Sequence, residues 1–196
     1  MMAQSKHILS FPKDGKPALI PNEWQICYAG AENEDLLHSD WGVHKVLLPF
    51  SWWQAHFNSG NTSSALVAKV KQGHIGVWFS AEEDILQHSA LIETGKSLWP
   101  IVASHFPIFR DGRSFSTAAL LRERFQWQGE VRAIGDVLID QLIQGARVGF
   151  DAFDLRPDQS LDTALQQLNV FPVSMQNSWR NKRTLIEAHA DRFLKS

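Results

Sequence analysis

Short apolar runs recur along the chain with amphipathic stretches between them, the alternation that consecutive βα units produce. KVLLPF, IGVWF, WPIVASHFP, GEVRAIG, FDAFDL and NVFPVSMQ read as strands. Their near-continuous apolar character is that of strands covered on both faces. Between them, helices are expected from Ser51, through SSALVAKVKQG to a stop at Gly73, and over AEEDILQHSALIE, whose early acids suit a helix N-terminus. A further helix is expected from Ser116 to Phe125, with Ser116 as N-cap and Phe115 stapled against Leu120. Asp136 can cap another from Val137 to about Val148, closed by a left-handed Gly149 with Phe150 as its apolar contact. Ser160 opens the next, with Leu161, Leu165 and Leu168 on one face.

Ahead of these units, KHILSF and ALIP flank PKDGKP, where Asp14-Gly15 signals a tight turn, so a small N-terminal β-hairpin is expected as an edge or a lid. The fold class is therefore α/β, about six strands in a mainly parallel sheet, either a TIM-barrel-like or partial barrel or an open doubly wound sheet. The organisation divides into hairpin and linker (1–40), α/β domain (41–176) and a polar, helical C-terminal tail (177–196) that docks through Leu185, Ile186 and Phe193 or binds a partner.

With 196 residues, 44% of them hydrophobic, one core can form, and a net charge of −2 offers no global attraction to nucleic acid or an anionic membrane. No apolar run reaches membrane-spanning length and no secretory leader is apparent, which makes the cytoplasm the expected location. Cys27 is the single cysteine, so neither a disulfide nor a thiolate metal cluster can form within the chain. The eight tryptophans read as core and interface fillers.

In either parallel architecture ligands gather at the carboxyl ends of the strands. Arg110-Asp111-Gly112-Arg113-Ser114 offers two guanidinium forks, a glycine and an approaching helix N-terminus, an anion or phosphate cradle; equally, Asp111 pairs with Arg113 or Arg132 and holds a turn. Arg132 shares a strand face with Glu130 and Ile134 and needs a partner or a ligand, because a buried unpaired charge costs several kcal/mol. Asp136 carries a proton at its strand end or caps the following helix, and Asp140 and Gln141 extend a polar network or face solvent. Arg122 and Arg124, with Glu123 between them, have the pattern of a salt-bridged exposed helix face. His105 lies at a strand end, and no histidine makes a recognised metal-ligand spacing. Walker A, GxGxxG, GxSxG and CxxC patterns are absent.

The blocks FxxFRDGRSFS, LLRERF, GEVRAIGDVLIDQL and RVGFDAF resemble, over Phe106 to Phe153, a bacterial family of unknown function. Its members are commonly encoded beside sulfite reductase and phosphoadenylylsulfate reductase, and are labelled oxidoreductases of sulfite reduction. The resemblance marks Asp111, Gly112, Arg113, Ser116, Arg122, Arg124, Glu130, Arg132, Gly135, Asp136, Asp140, Gln141, Arg147, Gly149, Phe150 and Asp151. It departs at Ser114, where members commonly carry glycine, and at Val148, where several carry cysteine, which weakens a thiol mechanism.

The resemblance implies an accessory protein or oxidoreductase of assimilatory sulfate and sulfite reduction. A sulfur oxyanion or other anionic small molecule would lie on Arg113 and Arg132 with Ser116 and Arg110. Asp111 would orient the arginines and Asp136 would carry the proton, with Glu130, Asp140, Gln141 and Arg147 in support. The sequence names no cofactor. Two other readings stand beside this one: a non-catalytic module that docks on sulfite reductase, and an independent barrel enzyme for a phosphorylated metabolite.

Overall fold

The computed structural model of the protein describes residues 6–28, 44–57, 63–170 and 177–180. Strands β1 (His7–Ser10) and β2 (Ala18–Pro21) form the antiparallel hairpin expected around Asp14-Gly15, with Ile8 opposite Ile20 and Leu9 opposite Leu19. Six strands follow: β3 (Trp24–Ile26), β4 (Lys45–Pro49), β5 (Ile75–Phe79), β6 (Ile101–Phe106), β7 (Glu130–Gly135) and β8 (Ala152–Phe153). From β4 onward each is parallel to the one before it, and β1 joins antiparallel to β8.

The strand order is therefore β2-β1-β8-β7-β6-β5-β4-β3. A doubly wound sheet reverses its order part-way; here successive parallel strands are always neighbours, and the sheet curls into an eight-stranded half barrel. Its two outermost strands are consecutive in the chain. Only Asn22 and Glu23 separate Pro21 of β2 from Trp24 of β3, and that link reaches no further than about 11 Å. The free edges must approach each other there, so Asn22 sits at a seam.

Helices α1 (Phe50–His56), α2 (Ser64–Lys71), α3 (Ser89–Gly95), α4 (Arg113–Glu123), α5 (Leu142–Val148) and α6 (Leu161–Val170) connect or follow the strands. They cover the outer face, where Leu48, Val77, Phe79, Val102 and Phe153 meet Phe50, Trp53, Trp99, Leu121 and Trp127 in the main core. The concave face carries a smaller cluster of Trp24, Leu47, Ile101, Ala103 and Ile134. Trp24, Trp52, Trp53, Trp99 and Trp127 thus fill space as expected, with Trp52 and Trp53 fully buried.

Several local expectations give way to competition for backbone N–H groups. The acids of AEEDILQH do not occupy the first turn of an α-helix. Glu83 accepts from the Ser80 N–H at 2.6 Å and Asp84 from Leu86 at 3.1 Å, which holds a loop and a 3-10 turn (Ile85–His88) and delays α3 to Ser89. Ser116 is not an N-cap: α4 starts at Arg113, because Asp111 already accepts the Arg113 N–H at 3.1 Å. Phe115 packs edge-on against Phe106, with ring centroids 5.1 Å apart. Asp136 caps no helix. The Gln141 side chain accepts from Leu138 at 3.0 Å to close a 3-10 turn (Ile139–Gln141), and α5 begins only at Leu142.

β3 was not foreseen, being a three-residue strand with little pattern to read. Asn169 and Val170, expected to open a last strand, instead end α6. The rest of that expected strand, 171–176, lies outside the described residues, as does the tail from 181 onward. Residues 177–180 are not helical.

Candidate functional site

The loop after β6 keeps its charges to itself. Asp111 binds the Arg113 guanidinium through both oxygens, with contacts of 2.6 to 3.2 Å, and the paired guanidinium holds the half-buried Asp111 carboxyl below its ordinary value. Arg113 also lies 4.0 Å from Glu82. Together with exposed Ser116 it borders a groove of about 260 Å³ whose other wall carries Glu82, Glu83 and Asp84. Carboxylates outnumber guanidinium groups around that groove. Arg110 is exposed in the same loop, whereas Ser114, the departure from the family pattern, is buried and donates its hydroxyl to the His105 carbonyl at 2.7 Å.

Asp136 reaches back across the strand ends: it accepts the Phe109 N–H at 2.8 Å and pairs with Arg156 at 2.8 Å. Gln141 donates to the Phe109 carbonyl. These two residues thus brace a loop that exposes Ile108 and Phe109, and Asp140 stays in solvent.

Arg132 stands elsewhere. It projects from the middle of β7 into the concave face, as its alternation with Glu130 and Ile134 requires. Register places Ala103 of β6 and Ala152 of β8 on either side, and these small neighbours leave room for a long side chain. Only 2% of Arg132 is exposed. Its Nε donates to Glu130 at 2.8 Å and its Nη1 to Asn22 Oδ1 at 3.0 Å, while Nη2 makes no hydrogen bond among the described residues. The partner sets of Arg132 and Arg113 do not overlap, so no described contact unites the two arginines.

Beside Arg132 lies a group that strand-end reasoning marks by position, with Asp154 to Arg156 following a strand, but to which it gives no role. Asp154 follows β8, is buried, and takes a 3.4 Å hydrogen bond from Asn22 Nδ2. Burial pushes its carboxyl up to about 6, against the pull of Arg132 and Asn22. Further along the concave face, Tyr28 leans over Trp78 and His105, with centroids 5.7 Å from each, and Trp78 and His105 lie 5.3 Å apart. The Trp78 indole N–H donates to the Cys27 carbonyl at 2.8 Å. Burial lowers His105, and burial with the Asp154 charge raises Tyr28 to about 12. The sequence signal for Asp154 was its place directly after a strand. What hid it was the neighbouring seam, which no local pattern displays.

The base of the outer face holds a third cluster. Arg122, expected on an exposed helix face, is buried to 3% and ion-paired with Asp151; Arg124 is exposed. Arg122 also donates to the carbonyls of Gly149, Trp127 and Gly129 at 2.7 to 2.9 Å, so it serves backbone groups that the chain's turns leave open. Gly149 has φ +124°, and a Cβ there would strike the Arg122 side chain, which restricts the position to glycine. Arg180 donates to the carbonyls of Ala146, Phe150 and Phe11, Trp179 stacks 4.2 Å from the Arg122 guanidinium, and the Arg147 carbonyl accepts the Trp179 N–H at 3.0 Å.

The model of a family described as "Bacterial protein of unknown function (DUF934)" matches residues 76–186, more than half of the chain. The chain belongs to the DUF934 family. The matched part of this DUF934 protein holds Arg132, Asp154, His105 and the Arg122–Asp151 pair, whereas Asn22 and Tyr28 precede it. No curated protein and no solved structure matches the chain. Among the described residues no helix is long and apolar enough to cross a membrane, and no cluster of three His, Cys, Asp or Glu side chains could hold a metal ion.

Proposed function

We propose that this DUF934 protein serves assimilatory sulfite reduction in the cytoplasm, as an oxidoreductase or an accessory factor, and binds a small sulfur oxyanion on the concave face against Arg132. The resemblance to a family encoded beside sulfite reductase supports the pathway. One observation carries the site: Arg132 is 2% exposed, yet among the described residues its Nη2 has no hydrogen-bond partner, and a guanidinium edge in largely apolar surroundings is a strong oxyanion ligand. Arg113 is the weaker anchor: it is exposed to water, both oxygens of Asp111 occupy its guanidinium, and it faces Glu82.

Titration calorimetry with sulfite is the direct test. Arg132→Lys is expected to bind at least about tenfold more weakly, since an ammonium cannot reproduce a fork that also holds Glu130 and Asn22. Arg113→Ala is expected to bind as the wild type does. The opposite pattern would return the anion to the Arg110–Ser114 loop. Growth of a deletion strain on sulfide but not on sulfite would support the pathway; normal growth on sulfate would remove it.

A second reading, a module that docks on sulfite reductase without chemistry of its own, draws on the exposed Ile108 and Phe109 that Asp136 and Gln141 hold at the rim. Capture of sulfite reductase by the wild type and not by an Ile108→Ser, Phe109→Ser double variant would favour it. Equal capture by both would remove this surface from the reading.

A further inference from the structure

Asp154 sits in an apolar setting that penalises its charge. The registers pairing Leu9 and Ala133 with Phe153 place Ile8 of β1 and Ile134 of β7 on either side of it, and both isoleucines are fully buried. Asn22 occupies Oδ2, at 3.4 Å, and Oδ1 accepts no hydrogen bond among the described residues. Among the described residues, the charged and titratable groups that act on it or feel its charge are Arg132 and the Tyr28 hydroxyl after β3. Glu130 on β7 pairs with Arg132 on its other side, and His105 stands two strands away on β6.

Around Asn22 there are thus one open donor, Arg132 Nη2, and one open carboxyl oxygen, Asp154 Oδ1. Neither is sealed from water without a partner, so what pairs with them is water or a ligand that replaces it. Charge decides what that is. Glu130 already balances Arg132, so an ionised Asp154 gives the pocket a net negative charge and would repel the oxygen atoms that Arg132 attracts. A neutral Asp154 reverses the interaction, because its O–H becomes a second donor aimed at the same ligand.

We propose that the concave site takes up its oxyanion together with one proton, which passes from solvent to Oδ1 of Asp154 and is then donated as an O–H hydrogen bond to the ligand lying on Arg132. This rests on the reading above that an oxyanion sits at Arg132. No bond to the ligand is made or broken: dianion, solvent proton and ionised site become a complex of dianion and neutral carboxylic acid. Burial helps, since a carboxyl pushed up to about 6 starts about two pH units closer to neutrality than an ordinary one, and the ligand's charge supplies the rest. Asn22 acts as a positioning residue, bridging Arg132 and Asp154 and holding both toward the same space.

Sulfate is the probe for the test, because its own charge stays constant over the range of interest. In the wild type, affinity for sulfate is expected to fall by up to about tenfold per pH unit above about pH 6. Calorimetry in two buffers of different ionisation enthalpy should register uptake of close to one proton per sulfate at about pH 7.5. Asp154→Asn keeps the shape and an N–H donor, and should bind sulfate with neither pH dependence nor proton uptake; circular dichroism checks that it is folded. Wild-type binding without uptake, or an unchanged pH slope in Asp154→Asn, would overturn the proton coupling and leave the anion reading intact. Failure of the wild type to bind sulfate even at about pH 5.5, where Asp154 is mostly neutral, would overturn both.

Discussion

Arg132 Nη1 donates to Asn22 Oδ1 at 3.0 Å across 110 positions of the chain. The contact joins the middle of β7 to the short link between the two outermost strands, and so ties the floor of the half barrel to its seam. Asn22 also accepts from the Trp24 N–H at 3.3 Å, which starts β3 in the right place.

Asn22→Ala removes this tie and leaves a buried guanidinium nitrogen without its partner. A loss of about 1–3 kcal/mol of unfolding free energy is expected. Urea denaturation followed by tryptophan fluorescence measures it, and a loss below about 0.5 kcal/mol would show that the seam holds without Asn22.

Asp154 makes stability depend on pH with a sign opposite to that of a salt-bridged carboxylate. Its folded value of about 6 lies above the ordinary 3.8, so the native state binds more protons between those values and stability falls as pH rises through them. Below that window the group has no effect. Asp154→Asn should therefore gain up to about 3 kcal/mol at about pH 7.5 and only about 0.5 kcal/mol at about pH 4. Urea midpoints of both proteins at the two pH values test this, and equal gains at both would contradict it.

Arg122→Met removes the partner of three backbone carbonyls and strands the Asp151 carboxylate. Breaking a buried pair from one side costs about 3–5 kcal/mol. Arg124→Met, on the exposed part of the same segment, should cost under about 0.5 kcal/mol. Thermal melts of the two variants side by side give the contrast.

Removal of everything after Gln176 should lower the melting temperature, since Arg180 serves three carbonyls and Trp179 covers Arg122. A pull-down with the truncated protein would then report lost stability along with any lost docking. Trp179→Ala in the full chain is the sharper comparison, with an expected cost of about 1–3 kcal/mol. A melting temperature equal to the wild type in both would show that 177–180 contributes nothing to the fold.

Asp136→Ala should free the loop it braces. The Phe109 amide is expected to exchange with deuterium faster, while sulfate binding at Arg132 stays as it was. A loss of sulfate binding would instead assign Asp136 to the site.

Local chemistry was legible in the sequence wherever it depends on neighbours along the chain. Apolar runs marked β4 to β7 and the start of β8, Asp14-Gly15 marked the hairpin, and Gly149 marked its helix end, because burial, turn geometry and a positive φ each act within a few residues. The concern that Arg132 is buried and needs a partner was also readable, from alternation alone. The caps were misread for a related reason: several side chains compete for each free N–H, and Asp111, Glu83, Asp84 and Gln141 reach theirs first.

Tertiary structure alone decided the rest. The monotonic strand order, not the βα spacing, makes a curled half barrel in place of a doubly wound sheet. Curling brings Asn22 and Tyr28 onto the face that carries Arg132 and Asp154, turns Arg122 inward onto Asp151, and leaves Arg113 to Asp111. Desolvation and charge pairing depend on distance through space, and the chain closes those distances only when its first strands and its last meet across the barrel.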